Sequence, residues 1–252
     1  MHYLDPGSPD APGVLLLHGL GADSTSWTLQ LDALTSAGYR PIAPDLPGFG
    51  RSAYDGRGWN FKRMAVLLAE LVSDLGIAPL HLVGLSMGGV IAQQFALDYP
   101  RHVRKLVLVS TFSVLRPKNF SQWFYFLQRL LVVHTLGLEQ QAKIVARRVF
   151  PNPEHAELRR MAETLIASAD PRAYRAAMRS LGLFDSRKRL AEINIPTLVI
   201  TGADDSTVPP AAQTLLAKSI PNARQVVIPN AGHAAAIDQV ETFNRHLLEF
   251  IA

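Results

Sequence analysis

The chain contains no cysteine, which excludes disulfide frameworks, cysteine nucleophiles, thiolate metal sites and iron–sulfur clusters. Charge is sparse: 18% of the residues are charged and the net charge is only +4. Set beside 48% hydrophobic residues, that balance belongs to a folded chain rather than a disordered one. Long apolar runs are missing too, so no segment reads as a membrane span. Met1 to Pro12 is polar and rich in Pro and Gly. It lacks the basic start and apolar stretch of a secretory leader, so the cytoplasm is the expected compartment. The densest basic clusters are Arg147-Arg148, Arg159-Arg160 and Arg187-Lys188-Arg189. None is interleaved with aromatic residues as a base-stacking platform would be, so no nucleic-acid partner is expected.

What is present is an alternation. Short apolar runs at Val14–Leu17, Pro41–Asp45, Leu80–Leu85, Leu106–Val109, Thr197–Thr201 and Gln225–Ile228 are separated by longer segments with helical spacing. Continuous apolar runs of four to six residues suit parallel strands covered on both faces. Helices are predicted over Trp27–Ala37, from Asn60 through Met64, Leu67, Leu68, Leu71 and Leu75, and over Gly88–Tyr99, Pro210–Ser219 and Val240–Ile251. Asn60 is a good N-cap and Pro210 a good first-turn residue. At 252 residues a single large domain can bury most of its surface. The fold class is therefore α/β, with a mostly parallel sheet and helices on both faces.

The alternation breaks between Phe112 and Arg189. That stretch carries helix-like segments at Ser121–Leu136 and from about Glu154 to Leu181, the latter broken near Asp170-Pro171, and no convincing strand. Residues 112–189 are read as a helical lid inserted into a core formed by residues 1–111 and 190–252, since a structureless connection of that length would be unusual.

The strongest local signal is Gly84-Leu85-Ser86-Met87-Gly88. This G-x-S-x-G pattern lies between a predicted strand and a predicted helix. A strand turning sharply into a helix would present Ser86 at the tip, and side chains at 84 and 88 would collide with the turn. A serine hydroxyl is a poor nucleophile and needs an oriented base. His233 follows the last predicted strand, and Asp204 and Asp205 follow the one before it. Both places fall at C-terminal strand ends, where open α/β sheets put their sites.

Taken with His18-Gly19-Leu20-Gly21 after the first strand, Asp45-Leu46-Pro47-Gly48-Phe49-Gly50-Arg51-Ser52 after the second, and Gly202-x-x-Asp205 with Pro209, the chain resembles the α/β-hydrolase superfamily in its lidded esterase and enol-lactone hydrolase branch. The resemblance covers nearly everything outside the lid. It implies an α/β-hydrolase fold and a catalytic triad of Ser86, Asp205 and His233, and it favours Asp205 over Asp204. It also implies an oxyanion hole from the Leu20 and Met87 backbone N–H groups, a shaping role for His18, and no cofactor or metal. The activity implied is that of a carboxylesterase cleaving a small-molecule ester. Enol-lactone or carbon–carbon bond hydrolysis on the same triad is one alternative, and a low-turnover ligand-binding receptor is another.

Two features depart from the family pattern. The N-terminus leaves little room for the first antiparallel strands, and Ala234-Ala235-Ala236 stand where larger residues are common. These alanines either enlarge the pocket or suit helix packing. In the lid, Phe120, Trp123, Phe124, Phe126 and Leu127 are either an apolar roof over the site or packing residues. Trp123 and Phe124 are the candidate substrate contacts, joined by Trp27, which either reaches the pocket rim or, as is more usual for an aromatic at a helix start, serves packing.

Overall fold

A computed structural model describes residues 1–115 and 120–252. Seven strands form one sheet: β1 (Tyr3–Leu4), β2 (Gly13–Leu17), β3 (Arg40–Pro44), β4 (Leu80–Leu85), β5 (Val103–Val109), β6 (Thr197–Gly202) and β7 (Ala223–Ile228). Their order is β1-β3-β2-β4-β5-β6-β7. Only β1 is antiparallel, pairing Tyr3 with Pro44. The other pairs are parallel, with Leu17 opposite Gly84, Gly84 opposite Leu108, and Gly202 opposite Ile228. The antiparallel edge is therefore a two-residue strand.

The ten α-helices of the described residues are α1 (Thr28–Ser36), α2 (Phe61–Leu75), α3 (Met87–Asp98), α4 (Phe120–Thr135), α5 (Gly137–Val149), α6 (Ala156–Ser168), α7 (Pro171–Leu183), α8 (Pro210–Ser219), α9 (Ala235–Asp238) and α10 (Val240–Ile251). Asn60 caps α2 by accepting the Arg63 N–H, and Gly76 ends it in the left-handed conformation at φ 64°, as expected for cap residues of these types.

Successive strand residues face opposite layers, which is why the strands read as unbroken apolar runs. Leu15, Leu17, Leu82, Leu106, Leu108 and Val199 pack with Met64 and Leu68 of α2, Ile91 and Phe95 of α3, and Leu216 of α8. Val14, Leu16, Val83, Val107, Leu198 and Ile200 pack with Leu31 and Leu34 of α1 and with Phe243, Leu247 and Ile251 of α10. Strand β5 begins three residues before its apolar run. Lys105, which interrupts the pattern, reaches out to the terminal carbonyls of Phe250 and Ala252.

Helices α4 to α7 all lie between β5 and β6. The two chain crossings at their base run side by side. Val114 bridges Asp185, and the Ser186 N–H donates to the Ser113 carbonyl at 2.9 Å. Gln93 of α3 ties both crossings down, donating to the Phe112 carbonyl and accepting from the Ser186 hydroxyl.

His81, on β4, is buried against the Tyr39 ring. Burial, with Lys105 and Arg104 adding to it, lowers its pKa to about 4. The unfolded chain takes up that proton near pH 6.5 and the native state resists it. Stability therefore falls as pH drops from about 6.5 to 4, with His81 contributing on the order of 3 kcal/mol to the loss. Urea unfolding across that window should show a shallower fall in His81→Phe; an equal fall would count against this assignment.

Candidate active site

The chain leaves β4 at Leu85 and enters α3 at Met87, so Ser86 alone makes the turn. Its backbone sits at φ 53°, ψ −111°, a conformation that costs a non-glycine residue about 1–3 kcal/mol. Neighbours hold it there. Its N–H donates to the Val109 carbonyl at 2.9 Å, and its carbonyl accepts from the Thr111 hydroxyl at 2.7 Å. The flanking glycines are steric necessities. A Cβ on Gly84 would lie 2.4 Å from the Gly88 carbonyl oxygen, and one on Gly88 would lie 2.1 Å from that of Leu17. The N-terminus of α3, whose first N–H groups have no acceptor within the helix, opens at Ser86, where negative charge is favoured.

His233 and Asp205 come from the loops after β7 and β6. The His233 Nδ1–H donates to both Asp205 carboxylate oxygens, at 3.1 and 3.0 Å, which leaves Nε2 as the basic nitrogen. Both side chains are buried. Asp205 is held in turn: Oδ1 accepts the Thr207 and Val208 N–H groups at 2.8 Å each, and Oδ2 accepts from Gln213 Nε2 at 3.1 Å. Asp204 is exposed, and its N–H donates to the Ala231 carbonyl. Of the two neighbouring carboxylates, Asp205 is the one that meets the histidine.

Ser86, His233, Gly19 and Leu20 line one cavity of about 1050 Å³. The loop after β2 lies against the serine: a Cβ on Gly19 would be 3.7 Å from Ser86 Cβ. His18 shapes this loop from within. Its Nδ1–H donates to the Gly19 carbonyl at 2.8 Å while Nε2 accepts the Leu46 N–H at 3.0 Å. Burial lowers its pKa, consistent with the neutral ring that this donor–acceptor pattern requires. Met87 has its side chain in the core, so only its backbone can serve the site; as the first residue of α3 its N–H has no partner within the helix.

The candidate substrate contacts fare differently. Trp27 is 1% exposed and packs on Phe243 beneath the opposite face of the sheet. It is not among the residues lining the cavity: of the two readings of Trp27, its place is that of the packing one, an aromatic at the start of α1 drawn into the core. Trp123 and Phe124 are likewise placed away from the cavity. They stand 51% and 62% exposed on α4 and do not line the cavity. The Phe126 side chain lies outside the described residues.

The apolar wall comes instead from Leu158, Met161, Ala162, Leu165 and Ile166 of α6, together with Leu215 of α8 and Ile237 of α9. The α6 residues fall at i, i+3, i+4, i+7 and i+8, a spacing visible in the sequence but identical to that of any core-facing helix. Arg129, Arg148 and Arg187 also line the cavity, and among the described residues no Asp or Glu does. Arg187 pairs with Asp185 at 2.6 Å, and Arg129 donates to the Tyr174 hydroxyl. Among the described residues no cluster of three or more His, Asp or Glu side chains could hold a metal, and no helix is long and apolar enough to cross a membrane.

Comparison with known proteins fits this arrangement. The chain is 35% identical, over 266 residues, to a Variovorax paradoxus (strain S110) protein provisionally named carbamate hydrolase RutD; the match covers 100% of this chain and 96% of that one. It is also 35% identical, over 271 residues, to the 2-hydroxy-6-oxononadienedioate/2-hydroxy-6-oxononatrienedioate hydrolase of Burkholderia vietnamiensis (strain G4 / LMG 22486), covering 100% and 90%. A malate-bound thermophilic esterase from Thermogutta terrifontis superposes with a TM-score of 0.87 at 32% identity, covering 99% of this chain and 92% of that chain. The family described as the alpha/beta hydrolase fold matches residues 12–240. With its parallel sheet, its serine turn after β4 and this match over most of its length, the chain belongs to the α/β hydrolase fold family and is a hydrolase.

Proposed function

We propose that the chain is a serine esterase that forms an acyl-enzyme on Ser86, with His233 as base and Asp205 as the acid that orients it. One observation carries the reading: the His233–Asp205 pair and the strained Ser86 open onto the same apolar cavity. His233 Nε2 takes the Ser86 proton as Oγ attacks the ester carbonyl and later returns it to the departing alkoxide. The Leu20 and Met87 N–H groups receive the developing oxyanion. Water then attacks the acyl-enzyme by the same route, releasing the acid and restoring the serine. Helices α4 to α7 act as the lid, α6 contributing its apolar face.

The cavity volume of about 1050 Å³ is at the upper end for small-molecule sites and far larger than an acetyl group needs. An ester with a medium-length or bulky acyl group fits it best. A second reading has one specific observation in its favour. Among the described residues, three arginines and no carboxylate line the cavity, which suits a substrate that itself carries a carboxylate. The Burkholderia relative is named for a dioate. On that reading the same triad opens an enol-lactone or cleaves a carbon–carbon bond in an anionic substrate.

Steady-state hydrolysis of p-nitrophenyl esters from acetyl to lauroyl is the test. Many turnovers are expected, with butanoyl to octanoyl esters preferred over acetyl. A folded protein inert on every neutral ester, yet active on esters or enol-lactones bearing a carboxylate, would transfer the assignment to the second reading. A single turnover followed by arrest would mark a receptor.

A further inference from the structure

The loop that carries His233 is fastened on several sides. The Ala231 carbonyl accepts the Asp204 N–H at 2.9 Å, the Asn230 carbonyl accepts from Gln239 Nε2 at 3.3 Å, and a Cβ on Gly202 would strike the Gly232 carbonyl oxygen at 2.1 Å. The remaining tie comes from a carboxylate. Asp238, at the end of α9, accepts the Gly232 N–H on Oδ2 at 2.8 Å. Its other oxygen, Oδ1, is buried with no hydrogen-bond partner among the described residues. Burial pushes this carboxyl above its ordinary range; the Gly232 N–H and His155 oppose the rise, while Asp205 adds to it.

A desolvated acid with one oxygen unsatisfied is a net cost to folding. The side-chain hydrogen bond it does make is to the amide immediately before His233. We propose that Asp238 is a positioning residue for the base: its carboxylate fixes the Gly232 amide, and through it the approach of His233 to Ser86. This inference rests on the serine-esterase reading. It assigns a function to a residue that is not among those lining the cavity at Ser86 and forms no part of the Ser86, Asp205 and His233 set.

A displacement of the base by about 1 Å lowers the rate by up to about 100-fold without weakening substrate binding. Asp238→Ala is expected to lower kcat at least tenfold with KM within twofold. The rate at which a fluorophosphonate labels Ser86 should fall by the same factor, since labelling depends on His233 and not on how the ester binds. Asp238→Leu, which keeps bulk but cannot accept the Gly232 N–H, should behave alike and carries the test if the alanine variant unfolds. Asp238→Asn keeps an acceptor oxygen and should return both rates to within threefold of wild type.

Wild-type rates in the alanine and leucine variants would overturn the proposal. So would a loss confined to KM, or an asparagine variant as slow as alanine. A wild-type protein that the fluorophosphonate does not label overturns the Ser86 reading and this inference with it. Labelled wild type with unchanged variants overturns this inference alone.

Discussion

Ser86→Ala is expected to lower kcat on any ester the protein turns over by about 10⁶-fold, the scale seen when a serine nucleophile of this kind is removed. Alanine offers no oxygen to acylate, so what survives is the small rate supplied by the oxyanion donors and by binding. Stability should scarcely change. The turn is held through the backbone of residue 86 and the Thr111 hydroxyl, and alanine bears the same strain at φ 53°. The checks are active-site-titrated kinetics alongside a thermal unfolding midpoint. An alanine variant that is folded and retains more than about a hundredth of the wild-type rate removes Ser86 from the mechanism.

Asp205→Asn should lower kcat by about 10⁴-fold while the protein stays folded. The reason is specific to this loop. Oδ1 receives two backbone N–H groups, from Thr207 and Val208, so the amide oxygen of asparagine must occupy that position. Its NH₂ then faces His233 Nδ1 and the Gln213 amide. Gln213, whose Oε1 is buried with no partner among the described residues, can turn its amide to accept. The imidazole can only accept at Nδ1, which places its proton on Nε2, and a ring protonated at Nε2 cannot take the proton from Ser86. Single-turnover acylation separates this effect from binding. If acylation keeps its wild-type rate in a folded Asp205→Asn, the carboxylate does not set the histidine tautomer.

Much of this architecture was legible in the residues. The apolar runs identified β2, β3, β4 and β6 to within a residue at each end, because strands covered on both faces have no polar side to disguise them. Strands β5 and β7 were legible only in their apolar halves, since Lys105 and the half-exposed start of β7 break the run. The helix between Gly137 and Val149 went unmarked. It follows α4 with only Leu136 between, turned by Gly137 at φ 82°, and its polar surface dilutes the apolar period. The Ser86 turn was legible because each flanking glycine answers a clash that any side chain would make.

The substrate contacts were not legible in this way. Trp27, Trp123 and Phe124 are large, but size alone says only that a side chain prefers to leave water. Trp27 found that burial on the far face of the sheet, while Trp123 and Phe124 stand on the outside of α4. The cavity wall fell to the smaller aliphatic face of α6, whose spacing is that of ordinary core packing.

By itself, then, the sequence determined the parallel α/β sheet, the glycine-flanked serine turn and the loops from which a base and an acid would come. These are local demands of backbone geometry and strand burial, written in residues adjacent along the chain. Only the tertiary structure decided which of two adjacent carboxylates meets His233, which helix walls the cavity, and that Asp238 reaches back to the Gly232 amide. The first two depend on how elements distant in the chain come to lie side by side, and the third on how α9 folds back over the loop six residues before it; side-chain identity alone encodes neither.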